Sequence, residues 1–249
     1  MTFRSYRCAG AALAAIFAIA GISRAQITHR YQGLGNRVVD TVAAAKPIFN
    51  DGTSPLTSPE VPTGAPAGAS IRFGKTKDGK FSGFYLPPEI FKRTQGSVSL
   101  WLKADSQPDA GGQTFILLSA PIEKGLNIII RNGPVVLILM DSQPLPVQTI
   151  ALKTWTQISV VWNFKGSEKA VQFYANGELV ASQPIPDGTF EAQGVNIGSF
   201  SADPTNPQLV ASRFDGLIYD FQIYNAALTS DQVAQLFKNP GKTADELSK

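Results

Sequence analysis

The sequence predicts an all-β protein, a sandwich or barrel of antiparallel strands, and three observations carry that reading. Helical periodicity is nearly absent beyond residue 25. Short strand-like segments recur instead, several with the two-residue alternation of a half-buried strand. Stretches rich in Gly, Pro, Asn and Asp separate them, where a chain can reverse direction cheaply.

Residues 1–25 are expected to be a secretory signal peptide and so to stand outside the fold. Arg4 and Arg7 give the basic start, Ala9 to Ile22 the apolar run, and the small residues Ser23 and Ala25 a cleavage site before Gln26. A run of about 14 apolar residues is short for a membrane span, which needs about 20. "VVLILM" (135–140) is shorter still, so no span is predicted after cleavage. Losing Arg4, Arg7 and Arg24 reduces 22 basic residues to 19, equal to the 19 acidic ones, and the formal charge falls from +3 to zero. No basic cluster then remains to attract nucleic acid or an anionic membrane. Cys8, the one cysteine, leaves too, so the mature chain has neither disulfides nor cysteine metal ligands. What remains is long enough for one domain, placed at 26–240, to build its own core.

Within that domain the first strand is "ITHRY", which carries His29, the chain's one histidine. A lone strand histidine reads as a side chain satisfied by hydrogen bonds, since a zinc site needs several ligands. Residues 47–70, crowded with Pro, Gly, Ser and Thr, read as a long surface loop; the mature residues before them are too few to form a separate domain. Strands are then expected at 97–104, 114–120, 126–130, 135–140, 156–164, 171–175, 178–183, 195–200 and 217–225. "RNGP" (131–134), "ANGE" (175–178) and "IPDG" (185–188) mark corners. Asn176-Gly177 predicts a type I′ hairpin, because both of its central positions need φ > 0. Thr229 and Gln232 have the spacing of a capping box, and Val233, Leu236 and Phe237 follow on one side of a short C-terminal helix. The tail, 241–249, is polar and expected to fray.

Three stretches carry a family resemblance: "SVSLWLKAD" (97–105), "TWTQISVVWNFKGSEKAVQFYANGELV" (154–180) and "FDGLIYDFQIYNAALTSDQVAQLF" (214–237). Trp155, the Tyr174–Gly177 hairpin, Phe214–Ile218 and Tyr224–Leu228 stand where the laminin-G-like, concanavalin-A-like jelly-roll domains of secreted bacterial proteins have matching residues. "ITHRYQGLGNRVVDTV" (27–42) resembles that family's first strand and Asp-containing loop. The resemblance implies an antiparallel jelly-roll β-sandwich on most of the mature chain. The signal peptide implies an exported protein: extracellular, on the cell surface or periplasmic. Function is less constrained, because lectins, glucanases and adhesive modules share the scaffold.

Catalysis is not expected. None of the seven Glu residues begins the Glu-x-Asp-x-x-Glu strand motif that sets two carboxylates on one sheet face in glucanases of this fold. The acidic pairs Asp105/Asp109, Asp187/Glu191 and Asp215/Asp220 have the wrong spacing for one strand face, and there is no Gly-x-Ser-x-Gly motif. A glycan or an extracellular protein is the expected partner, with a structural or adhesive sandwich as the alternative and a degenerate glycosidase third. For sugar binding an aromatic must face outward. In 97–103, Val98, Leu100 and Leu102 form one face, which leaves Trp101 on the polar one. Tyr174 lies opposite Phe173, and Tyr224 opposite Phe221 and Ile223, whereas Trp162 lines up with Ile158 and Val160 as core. Trp101, Tyr174 and Tyr224 are therefore the ligand-face candidates. The resemblance also implies a possible Ca2+ site, for which Asp40 and Asp220 are the candidate ligands. The family's usual Asp position holds Tyr219 here, one residue before Asp220.

Overall fold

Alternating apolar residues assemble strand after strand into two antiparallel sheets. A computed structural model describes residues 25–43, 47–49, 55–74, 82–91, 94–108, 113–119, 126–131, 135–140, 143–144, 148–165, 169–184, 195–198 and 213–248. Residues 1–24 and the corners expected in 132–134 and 185–188 lie outside the described residues. The first sheet contains β1 (Ile27–Leu34), β2 (Arg37–Asp40), β4 (Leu56–Ser58), β5 (Ser70–Phe73), β7 (Gln95–Ala104), β13 (Thr156–Asn163), β14 (Ala170–Ala175), β15 (Glu178–Pro184) and β17 (Gly216–Tyr224). Its order is β15-β14-β13-β7-β17-β1-β2, with β5 sharing an edge of β17 with β1 and β4 outside β5. The second sheet contains β3 (Ile48–Phe49), β6 (Phe84–Leu86), β8 (Gln113–Ser119), β9 (Leu126–Arg131), β10 (Val135–Met140), β11 (Gln143–Pro144), β12 (Gln148–Thr149) and β16 (Val195–Ile197). It runs β11-β10-β9-β8-β16-β6-β3, with β12 on β10.

The nine strands expected beyond residue 95 are β7–β10 and β13–β17. The stretch 47–70 corrects its reading as a loop: it supplies β3, β4 and the first residue of β5. Those strands are two to four residues long, too short for alternation to register.

Between the sheets lies one core. Val98, Leu100, Leu102, Ile158, Val160, Trp162 and Phe173 of the first sheet meet Phe84, Leu86, Leu117, Ile128, Ile130, Val195 and Ile197 of the second. A second apolar cluster lies on the opposite face of the first sheet. There Val161, Tyr174 and Tyr224 meet Leu228, Val233, Leu236 and Ala244. Central strands of this sheet are thus buried on both faces, and all nine residues of β17 are buried.

The cover is the C-terminal segment. Thr229 and Gln232 form the expected capping box at the start of helix Ser230–Lys238, which lays Val233 and Leu236 on the sheet. The tail is not frayed. Thr243 and Glu246 make a second capping box that starts helix Ala244–Leu247, and Ala244 is buried. The apolar Ala244 and Leu247 dock that turn despite its polar composition.

Gly96 stands directly opposite Trp162 in the β7–β13 register, and a Cβ on it would lie 2.3 Å from the Trp162 ring. Gly96→Ala is therefore expected to destabilise the fold by about 1–3 kcal/mol through overpacking. Urea denaturation measures this, and an unchanged midpoint would mean that the buried indole yields without cost.

Candidate functional site

Alternation assigned Trp101, Tyr174 and Tyr224 to the correct face of the first sheet: all three point away from the main core. It did not say what covers that face. Trp101 is only 9% exposed and stacks on Phe237 of the C-terminal helix, with ring centroids 5.6 Å apart. Tyr174 is buried; its hydroxyl donates to Gln172 Oε1 (3.1 Å) and meets Ser230 Oγ at 3.0 Å. The Tyr224 hydroxyl donates to Gln222 Oε1 and accepts the Ala244 N–H (3.1 Å). Burial pushes the phenols of Tyr174 and Tyr224 upward from their ordinary value. The structure brings the three residues to one face but corrects their expected role: they seat the helices and offer no open platform to a ligand.

Polar side chains on the same face are satisfied internally. Gln157 Nε2 donates to Ser99 Oγ (2.9 Å) and Ser159 Oγ (2.6 Å), and Ser97 Oγ accepts the Leu228 N–H while donating to the Ala226 carbonyl. The hairpin belongs to this arrangement. Asn176 (φ 51°) and Gly177 (φ 80°) form the expected corner, and Asn176 Oδ1 accepts the Gln157 N–H at 3.0 Å. A Cβ on Gly177 would sit 3.0 Å from Phe237 Cβ, so the turn needs glycine both for its backbone and for the helix above it.

The two candidate calcium ligands point to opposite sides of the sheet. Asp40 pairs with the core residue Tyr31 across β1–β2 and faces inward. His29 Nδ1–H donates to it at 2.6 Å, and the N–H groups of Arg30, Val42 and Ala43 add further bonds. Asp220 instead binds the side chain of Arg30, the next residue along β1, and so lies outward: Arg30 Nε and Nη2 donate at 2.6 and 3.1 Å, Gln32 Nε2 at 3.0 Å and Gln222 Nε2 at 2.6 Å. One cation cannot use both carboxylates, and each is already filled by N–H donors. Among the described residues no group of three or more His, Cys, Asp or Glu is placed to hold a metal.

Simple alternation puts Asp220 on the opposite face from Tyr219, and a β-bulge corrects that: both lie on the outer face. In the β7–β17 ladder, Tyr219 faces Trp101 and Gln222 faces Ser99, which leaves two residues of β17 opposite one of β7. Asp220 takes φ 55°, and the core side resumes at Phe221 and Ile223. Other carboxylates are tied to cations: Asp105 and Asp215 both bind Arg72, and Glu60 binds Lys103. Asp109, Asp187 and Glu191 lie outside the described residues.

A second face, not singled out by the sequence, lies across the second sheet. Ile48, Tyr85 and Asn196 are direct cross-strand partners on β3, β6 and β16, and their neighbours Phe84 and Ile197 face the core. Ile48 is exposed, and Tyr85 and Asn196 are half-buried. Asn127 extends the row on β9 as a buried amide. The row was hidden because β3, β6 and β16 have only two or three residues each.

Two measurements test this electrostatic arrangement. Asp220→Ala leaves the largely buried Arg30 guanidinium without its partner, and a loss of about 3–5 kcal/mol is expected by denaturant titration. Burial pushes the Asp40 carboxyl up, but the His29 bond and the three backbone bonds outweigh it and hold the group below its ordinary value. Its stabilisation is full above the unfolded value of about 4 and disappears as pH falls through the lower folded one. Thermal melts below pH about 4 should therefore show a steeper acid loss for the native chain than for Asp40→Asn.

The sequence profile of a laminin-G family, described as the concanavalin A-like lectin/glucanases superfamily, matches residues 78–234. No curated protein matches the chain. Among solved structures, the fold resembles one described as "Cell entry of botulinum neurotoxin type C is dependent upon interaction with two ganglioside molecules", with TM-score 0.63, 14% identity, and coverage of 85% of this chain and 50% of that one. It also resembles the botulinum neurotoxin serotype D ligand binding domain in complex with N-acetylneuraminic acid, at TM-score 0.63, 17% identity, and coverage of 86% and 51%. A third is the binding domain of botulinum neurotoxin DC in complex with rat synaptotagmin II, at TM-score 0.61, 13% identity, and coverage of 85% and 51%. The chain spans about half the length of each. Among the described residues no helix is long and apolar enough to cross a membrane, which says nothing of β-barrels. With two antiparallel sheets around a shared core and a profile match over more than half its length, this chain belongs to the concanavalin A-like lectin/glucanase superfamily.

Proposed function

We propose that this protein is an exported, non-catalytic recognition domain that binds a glycan through the outer face of its second sheet. The supporting observation is the Ile48–Tyr85–Asn196 row, which sets an aromatic ring beside an amide on a face that retains solvent contact. A ring can stack on a sugar while the amide fixes the orientation of its hydroxyls. The first sheet is the poorer choice, because the chain's own helices cover its aromatics. Neurotoxin domains of similar fold crystallised with N-acetylneuraminic acid and with synaptotagmin support recognition of a glycan or a protein as the kind of task. The adhesive alternative draws on Leu34 and Leu56, exposed apolar residues on β1 and β4 of the other sheet.

The test is binding of the mature chain, from Gln26, to a broad glycan panel, with calcium and with chelator. Tyr85→Ala and Asn196→Ala should each weaken the bound glycan by about tenfold while leaving the melting temperature within a few degrees. Trp101→Ala should instead lower the melting temperature. Saturable binding untouched by Tyr85→Ala would move the site off this face. Absence of glycan binding, together with self-association by sedimentation, would favour the adhesive reading.

A further inference from the structure

The beginning of β1 meets the C-terminal helices at a junction that leaves one buried polar atom unpaired. Ala25 is 4% exposed and belongs to the apolar cluster that includes Tyr224, Leu228 and Ala244. The Gln26 N–H donates to Asn225 Oδ1 at 3.1 Å, and the Asn225 N–H returns to the Gln26 carbonyl at 3.1 Å. One residue on, the Ile27 N–H makes a long bond of 3.3 Å to Asp245 Oδ2. The other oxygen, Asp245 Oδ1, is buried and has no hydrogen-bond partner. A buried carboxylate oxygen with no donor requires explanation, because almost all such atoms in folded proteins are paired.

We propose that Asp245 is the counter-ion of an α-ammonium, the amino terminus that cleavage between Ala25 and Gln26 creates. The proposal rests on the export reading above. In the uncut chain the Gln26 nitrogen is an amide with one hydrogen, which Asn225 takes. After cleavage the same nitrogen is an ammonium with three hydrogens and a positive charge. It keeps Asn225 and gains a charge-assisted bond to Asp245, whose Oδ2 already reaches the neighbouring N–H. Cleavage would thus take Ala25 out of the apolar cluster and, in exchange, complete the polar contact between β1 and helix Ala244–Leu247.

A chemical consequence follows. An amino-terminal glutamine cyclises when its neutral α-amine attacks the side-chain Cδ; the bond from Cδ to the amide nitrogen breaks, and ammonia leaves. Pairing with Asp245 keeps the α-amine protonated, without a lone pair for that attack, so Gln26 should resist the reaction.

The experiment exports the full chain with its leader from a bacterial host, collects the product, and reads its amino terminus by Edman sequencing before and after enzymatic removal of any pyroglutamate. A terminus that reads neither as Gln26 directly nor as Ile27 after pyroglutamate removal overturns both the cleavage site and this proposal, whatever the state of Asp245. With Gln26 first, Asp245→Asn is made in the native chain and in one carrying Ser-Gly inserted after Ala25, which moves the ammonium out of reach. The expected result is a Tm lowered by about 3 °C by Asp245→Asn in the native chain, with little change in the inserted one. Intact mass should also show ammonia loss several-fold faster in Asp245→Asn than in the native protein. Equal Tm shifts in both backgrounds, or equal rates of ammonia loss, would overturn the proposal.

Discussion

The ion pair between Arg30 and Asp220 joins the parts on which the rest of the arrangement depends. It lies on the outer face of the first sheet, where Arg30 Nη2 also donates to the Gly241 carbonyl and Gln222 Nε2 to that of Lys242. The same charges that link β1 to β17 therefore hold down the C-terminal segment. Burial alone would depress the Arg30 guanidinium, and Asp220, together with Glu246 and Tyr219, more than reverses that. Such a pair is costly to bury and more costly to break, so it persists where geometry satisfies both partners. Here the amides of Gln32 and Gln222 complete the shell around the carboxylate.

Once the outer face is closed, each polar group on it needs a protein partner. The Gln157–Ser99–Ser159 triangle and the Ser97 bonds to the chain after β17 meet that requirement. Pro66 and Gly241 close over Tyr219 at the other end. Several residues that look surface-like in sequence (Ser, Gln and Tyr alternating with Val, Leu and Ile) are interior residues with internal partners.

This accounts for how much the sequence revealed. Alternation reports which side of a strand a residue occupies, a local property, and it sorted Val98 from Trp101, Phe173 from Tyr174 and Ile223 from Tyr224 correctly. The capping box at Thr229 and the positive-φ pair at Asn176-Gly177 were equally legible, because caps and turns are set by neighbouring residues. What covers a face depends on residues far along the chain, and there Trp101, Tyr174 and Tyr224 misled. The row through Tyr85 was invisible for a different reason: its register comes from pairing among three short strands, and no single segment carries it.

The bulge at Asp220 gives β17 two phases. Before it, even-numbered Ile218 faces the core; after it, the odd-numbered Phe221 and Ile223 do. A homologue lacking one residue here would have a regular strand, and its sequence would fall out of step with this one for the remaining length of β17. Read without that step, Gln222 would be assigned to the interior and Phe221 to the surface, and the Arg30 partner would vanish from the comparison. The left-handed residue therefore works as a frame shift written in backbone geometry, and sequences aligned across it have to be rephased at that point before their side chains can be compared.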